Sequence, residues 1–140
     1  MATMELFDNG RVVARLIGSR IEIIWTAPTG ETERQKAESE MPSQIGLLLD
    51  ALRPAVADRE PGSLSLLLVV RGVNKRYADI LGAAVDWLRN FRHVFSICVF
   101  ATSSALLRSS IKVLGLIPGL ELRGFETEEE ARRFLEARGA

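Results

Sequence analysis

Three cations fall within the six residues Arg71-Gly-Val-Asn-Lys75-Arg76. An apolar run precedes them, and an apolar-periodic segment begins at Tyr77. If the run is a strand and the segment a helix, the cations stand where a helix N-terminus offers free N–H groups and partial positive charge. An anionic group, carried by a partner or as a phosphate, is what such a place accepts. The simpler reading is that long basic side chains solvate a loop, because the cluster is modest. The interaction reading assigns partner contact to Arg71, Asn74, Lys75, Arg76, Tyr77 and Asp79. A second polar step, Thr102-Ser103-Ser104, follows the next apolar run and is a candidate ligand loop. Capping a helix that begins at Ala105 is its simpler role.

The other chemically capable residues are scattered. His93 is the single histidine, at a helix-to-strand boundary, with no second histidine or cysteine cluster to share a metal. Cys98 is the single cysteine, set in Ser-Ile-Cys-Val-Phe. Such a thiol packs as a small hydrophobe, whereas reactive thiols need an electropositive setting. An intrachain disulfide is impossible, which fits a reducing, cytoplasmic location. Asp79 and Asp86 fall on the polar side of one helical segment, where solvation explains them more simply than paired-carboxylate catalysis. No nucleophile elbow, phosphate loop or dinucleotide fingerprint occurs. Gly115-Leu-Ile-Pro-Gly119 reads as a helix stop. The expectation is no enzyme, no cofactor and no metal.

The elements that must position these residues are legible in the pattern. The chain has 140 residues, 47% hydrophobic and 26% charged, which suits one globular domain. Eighteen basic residues balance eighteen acidic ones, so charge points neither to nucleic acid nor to an anionic membrane. Zero net charge protects poorly against association and favours a homo-oligomer or a standing protein partner. The start of the sequence lacks a basic, apolar leader, and the apolar runs are too short for a membrane span.

Asp8-Asn-Gly10 predicts a turn with the dipeptide of a type I′ hairpin. Strands are predicted over 11–17 and 20–26, joined at Gly18-Ser19, with Ile21, Ile23 and Trp25 on one face. Residues 31–40 are charged and predict a solvated connector or exposed helix turn. Ser43 caps a predicted helix to about Ala57, whose Ile45, Leu48, Leu49, Leu52 and Val56 share a face. The run 64–70 predicts a strand buried on both faces. A helix over 77–92, a strand from Phe95, a helix over 105–114, a short strand over 120–125 and a helix over 127–138 follow. Thr127 and Glu130 are spaced as a capping box. The whole predicts an α/β domain. Its sheet is mixed but mostly parallel, with four to six strands, an N-terminal antiparallel hairpin and about four helices.

The last third resembles the STAS domain, the sulfate-transporter and anti-sigma-factor-antagonist module. The likeness rests on Val99-Phe-Ala-Thr-Ser-Ser104, Leu107-Arg-Ser-Ser-Ile-Lys-Val-Leu-Gly-Leu116, Leu120-Glu-Leu-Arg-Gly-Phe125 and Thr127-Glu-Glu-Glu-Ala-Arg-Arg-Phe-Leu135, in that order. It extends in placement to the strand and helix over 64–88. The resemblance implies a non-catalytic regulatory module that binds a protein partner, similar to anti-sigma factor antagonists. Phosphorylatable members carry an Asp-Ser-Ser-Gly-like motif after the central strand. Here that place reads Gly72-Val-Asn-Lys-Arg-Tyr77, with no serine or threonine, so the phosphorylation switch does not carry over. The loop Arg71–Tyr77 and the outer side of the next helix remain as the docking surface. The alternatives are a small-molecule or lipid-binding domain, in which helices part from the sheet, and a structural or assembly subunit.

Overall fold

A computed structural model of the chain describes residues 2–72, 77–106, 108, 109 and 120–140, with backbone only over 77–81. Six strands form one sheet: β1 (Thr3–Asp8), β2 (Val12–Ile17), β3 (Arg20–Thr26), β4 (Leu64–Arg71), β5 (Phe95–Thr102) and β6 (Glu121–Phe125). The helices among the described residues are α1 (Glu31–Val56), α2 (Tyr77–Phe91) and α3 (Glu128–Ala137). The strands lie side by side in sequence order. β1–β2 and β2–β3 are antiparallel, while β3–β4, β4–β5 and β5–β6 are parallel. The sheet is therefore mixed, with three parallel and two antiparallel pairs, rather than mostly parallel. Its three described helices compare with the four expected. The missing one, over 105–114, lies largely outside the described residues, with helical backbone at Ala105, Leu106, Arg108 and Ser109.

The added strand is β1. Asp8-Asn9-Gly10 does turn the chain, but not as a two-residue type I′ turn, which needs positive φ at both central residues. Only Gly10 has it (φ +87°). The Asn9 side-chain oxygen instead accepts the Arg11 and Val12 N–H groups at 3.0 and 2.8 Å. Gly18 (φ +62°) opens the β2–β3 turn, as a two-residue turn with glycine first requires.

The segment 31–40, expected as a solvated connector or an exposed helix turn, forms the first ten residues of α1. The acidic Glu31 and Glu33 suit the positive end of the helix dipole, and Arg53 suits its last turn. Ala37 and Met41 are buried one turn apart, continuing the stripe of Leu48, Leu52 and Val56 toward the N-terminus. Pro42 and Pro54 donate no backbone bond, yet the helix runs through both. The Ser43 hydroxyl, expected as a cap, instead donates to the Glu40 carbonyl at 2.9 Å.

Successive parallel crossovers step across the sheet in one direction. Right-handed crossovers that do so lie on one face. Accordingly α1 and α2 share a core with Ile21, Ile23, Trp25, Leu66, Leu68, Cys98 and Phe100. After β6 no strand remains to be reached, and α3 folds onto the opposite face. There Ala131 and Leu135 pack on Leu67, Val69, Ile97 and Val99. The continuous apolar run of β4 is thus buried on both sides, as its composition predicts.

Candidate functional site

The C-terminal ends of β4, β5 and β6 lie along one edge of the sheet, because these strands are parallel. An open cleft of about 310 Å³ sits there. Val69 and Arg71 of β4 with Gly72 after it, Ala101 and Thr102 of β5 with Ser103 after it, and Glu126–Glu128 at the entry to α3 line it. The described starts of both loops singled out by the sequence, Arg71-Gly72 and Thr102-Ser103, therefore border the same cleft. Ligands of parallel sheets gather at this edge because helix starts and flexible loops converge there.

Each wall has a local cause. β4 is followed by Gly72, whose φ of +83° disfavours any residue with a side chain. A Cβ there would also stand 3.2 Å from the Cβ of Ala27, so the chain turns close against the end of β3. The Ala27 N–H donates to the Arg71 carbonyl at 2.9 Å, tying the two strand ends. β5 ends in Thr102, buried although polar. Its Oγ1 accepts the Ser104 N–H at 3.3 Å, and its carbonyl accepts Arg108 Nη1 at 2.7 Å. The Arg108 N–H donates to the Ser104 carbonyl at 3.0 Å and opens a helical turn. Thr102 and Ser104 thus organise the helix start, and Ser103 faces solvent. On the third wall Thr127 caps α3, its Oγ1 accepting the Glu130 N–H at 3.2 Å. The Glu130 carboxylate accepts that hydroxyl at 2.9 Å, so its partner is the cap's side chain rather than the backbone N–H of a full capping box.

Arg71 is not an isolated cation. Its Nε and Nη2 donate to the two oxygens of Glu128, each at 2.8 Å, a bidentate pair across the cleft wall. The pair continues into the protein. Glu128 Oε1 accepts Arg132 Nη1 at 3.2 Å, and Arg132 Nη2 reaches Glu22 Oε1 at 2.9 Å. Glu22 Oε2 meets Arg20 Nη2 at 2.8 Å. Alternating charges therefore run from the cleft, under one edge of α3, to β3. Glu22 is only 6% exposed, and two guanidinium groups neutralise it.

The electrostatics follow from this chain. The Arg71 hydrogen bond, against some burial, holds the Glu128 carboxyl below its ordinary range, with Arg132 adding to the effect. Arg71 is raised in turn, chiefly by the same bond. For Arg132 burial opposes the charge, but Glu22 and Glu128 together outweigh it and raise the guanidinium. A carboxylate so stabilised is a poor proton acceptor at neutral pH. Cys98 lies buried under α1 and α2, and burial pushes its thiol far up, away from thiolate chemistry.

The remaining predicted residues divide by what the structure describes. Asn74, Lys75 and Arg76 lie outside the described residues, as does the stop at 115–119. Tyr77 and Asp79 open α2, but their side chains are outside the description. Asp86 is exposed on α2 and pairs with Arg89 at 3.6 Å. His93 is exposed in the α2–β5 turn, where its carbonyl accepts the Gly62 N–H at 2.8 Å. Among the described residues no group of three or more His, Cys, Asp or Glu could hold a metal. None of their helices is long and apolar enough to cross a membrane.

Glu22, Glu128 and Arg132 were not singled out by the sequence. One signal for them existed. The apolar edge of α3, with Ala131, Phe134 and Leu135, needs a sheet face to cover. Glu22, opposite in alternation to Ile21 and Ile23, lies on that face. An apolar space also remains between α1, α2 and the sheet, walled by Trp25, Leu48, Leu52, Leu66, Leu68 and Trp87. Its volume is about 30 Å³, roughly one water's share of liquid, so an acyl chain requires the helices to part. Compared with models of protein families, with characterised proteins and with solved structures, the chain has no match.

Proposed function

We propose that the protein is a non-catalytic, cytoplasmic regulatory module similar to STAS domains, and that it docks a protein partner at the cleft edge of the sheet. The observation that carries the reading is the convergence of Arg71 and Gly72 from one sequence-selected loop, and Thr102 and Ser103 from the other, on one cleft at the ends of β4 and β5. The order of β5, the serine step, the helical turn, β6 and the acidic-capped α3 supports the family likeness. The state of the cleft supports binding over catalysis. Its Glu128 carboxylate is held ionised by Arg71, the Thr102 hydroxyl accepts the Ser104 N–H, and Thr127 caps α3.

In this reading Ser103, Gly72 and the loop to Asp79 meet the partner, with Lys75 and Arg76 as the cations that an acidic surface contacts. Arg71 has a second duty as the anchor of α3, so its removal alone does not separate docking from folding. The test is co-purification of the partner with the tagged full chain, comparing three proteins. Lys75→Glu/Arg76→Glu reverses the loop charge, and Ser103→Arg fills the cleft mouth from an exposed position. Both are expected to lose a partner that the unaltered chain retains, with melting temperatures unchanged. Undiminished capture by both variants overturns the reading.

A further inference from the structure

The ion chain beneath α3 does not balance. It joins three guanidinium groups, Arg20, Arg71 and Arg132, through two carboxylates, Glu22 and Glu128. Arg132 shows that one guanidinium here can serve two carboxylates, with Nη1 on Glu128 at 3.2 Å and Nη2 on Glu22 at 2.9 Å. Arg71 serves one. Glu128 takes its Nε and Nη2 donors, along one edge of the fork, and Nη1 bonds none of the described residues. At the other end of the ion chain Arg20 is closed in, its side chain 14% exposed and its Nη1 reaching the Ala140 carbonyl at 3.4 Å. Arg71 is 48% exposed and lines the open cleft, so the surplus positive charge is accessible there.

A second donor stands beside it. Val70 and Thr102 are register partners across β4 and β5, and the residues that follow them, Arg71 and Ser103, both line the cleft. Ser103 is exposed, and among the described residues its hydroxyl has no partner. The donors select the ligand's chemistry. The outer edge of a guanidinium presents two parallel N–H groups in one plane, which match the two oxygens of a carboxylate. Glu126 and Glu128 also line the cleft. A doubly charged phosphate meets about twice the repulsion from them that a singly charged carboxylate meets, so the carboxylate is favoured. An exposed ion pair is worth little by itself. In an open cleft the carboxylate must therefore arrive on a molecule that makes further contacts.

We infer that Arg71, through its Nη1–Nη2 edge, and Ser103, through its hydroxyl, hold an aspartate or glutamate carboxylate of the docked protein partner. Glu128 stays on the Nε–Nη2 edge and fixes the plane of the guanidinium, as a positioning residue that the incoming carboxylate does not displace. That the carboxylate belongs to a protein rests on the docking proposed above. The carboxylate site rests only on the cleft.

Acetate is the probe. The isotope-labelled full chain is titrated near neutral pH with acetate and, separately, with phosphate, at an ionic strength held constant with chloride. Nuclear magnetic resonance follows the N–H signals of the Arg71 side chain, Gly72 and Ser103. Acetate is expected to shift them to saturation while the Arg71 Nε–H signal persists. Arg71→Lys keeps the charge but lacks the second edge of the fork, and is expected to weaken acetate binding about tenfold. Ser103→Ala is expected to weaken it about fivefold, with Tm unchanged because the residue is exposed. A response to acetate no greater than the response to chloride overturns the site. Tighter binding of phosphate overturns the carboxylate assignment, and loss of the Arg71 Nε–H signal at saturation overturns the assigned edge. If acetate binds while Lys75→Glu/Arg76→Glu and Ser103→Arg both retain the partner, the docking reading falls and the carboxylate site stands. If acetate does not bind while both variants lose the partner, the site falls and docking stands.

Discussion

Replacing Arg132 by methionine tests whether the charge chain beneath α3 stabilises the fold. Methionine keeps most of the aliphatic stem that packs beside the sheet, so the loss reports the guanidinium. Arg132 bonds Glu22 at 2.9 Å and Glu128 at 3.2 Å. Stripping a buried charge of its partner costs roughly 3–5 kcal/mol. Glu22 keeps Arg20 at 2.8 Å, so about half of that, ~2 kcal/mol, is the expected loss. With an unfolding entropy of about 2.1 cal/mol/K per residue, a chain of this length loses about 7 °C in Tm. The control lies one position along. Among the described residues Arg133 pairs with Glu129, both more than 70% exposed, and Arg133→Met should move Tm by less than about 2 °C. Thermal melts at neutral pH and one chain concentration measure both. Added salt should shrink the Arg133 effect and leave most of the Arg132 effect, because screening does not reach buried pairs well. A double-mutant cycle with Glu22→Gln should return a coupling of about 1 kcal/mol or more. Equal shifts for Arg132→Met and Arg133→Met refute the reasoning.

Three further expectations follow from the cleft and core. Glu128→Gln should cost about 1 kcal/mol at neutral pH, a modest figure because Arg71 is half exposed. Because the folded Glu128 pKa is depressed, that stability is present above the unfolded value of about 4.3 and is lost as pH falls through the folded one. Urea titrations should therefore show the two proteins converging in acid, and a difference that persists at the lowest pH contradicts the Arg71 pairing. Gly72→Ala should cost about 1–2 kcal/mol in the same titration, from positive φ and the approach to Ala27, whereas a neutral result denies the strain. Cys98 should resist a thiol reagent in the native protein at neutral pH and react at once in denaturant; rapid native labelling contradicts its burial.

The fold was legible where the burial pattern has a short period or an unbroken run. The alternation Ile21, Ile23, Trp25 and the run 64–70 predicted strands that form within a residue of their expected ends. The first half of α1 was hidden because its composition is that of a solvated loop. Only Ala37 and Met41 face the core there, and small or isolated apolar residues give a weak period. Pro42 strengthened the wrong boundary, since proline normally marks a helix start or break. β1 was hidden because an edge strand with most residues exposed carries little alternation, and only its turn announced it. Strand order was recoverable in principle: a hairpin followed by short crossovers allows a sheet laid down in sequence order, though no local pattern requires it.

The site was half legible, for a reason that lies in Arg71. Sequence places a cation at the end of a buried strand but cannot show which carboxylate, 57 residues on, folds back to meet it. That carboxylate belongs to a capped helix start, and acidic residues there are already explained by the helix dipole. Glu128 therefore needed no further partner in a one-dimensional reading. In the structure it serves both the dipole and Arg71, and this double use sets the position of α3. The helix is short and buries only Ala131 and Leu135 fully, so apolar contact alone fixes it weakly. The ion chain from Arg71 to Arg20 pins its N-terminal end to β4 and its middle to β3. The width of the cleft thus depends on charge pairing more than on packing. A ligand that competes for Arg71 must displace a tethered carboxylate held by two bonds of 2.8 Å, so it must bring further contacts from the adjoining loop.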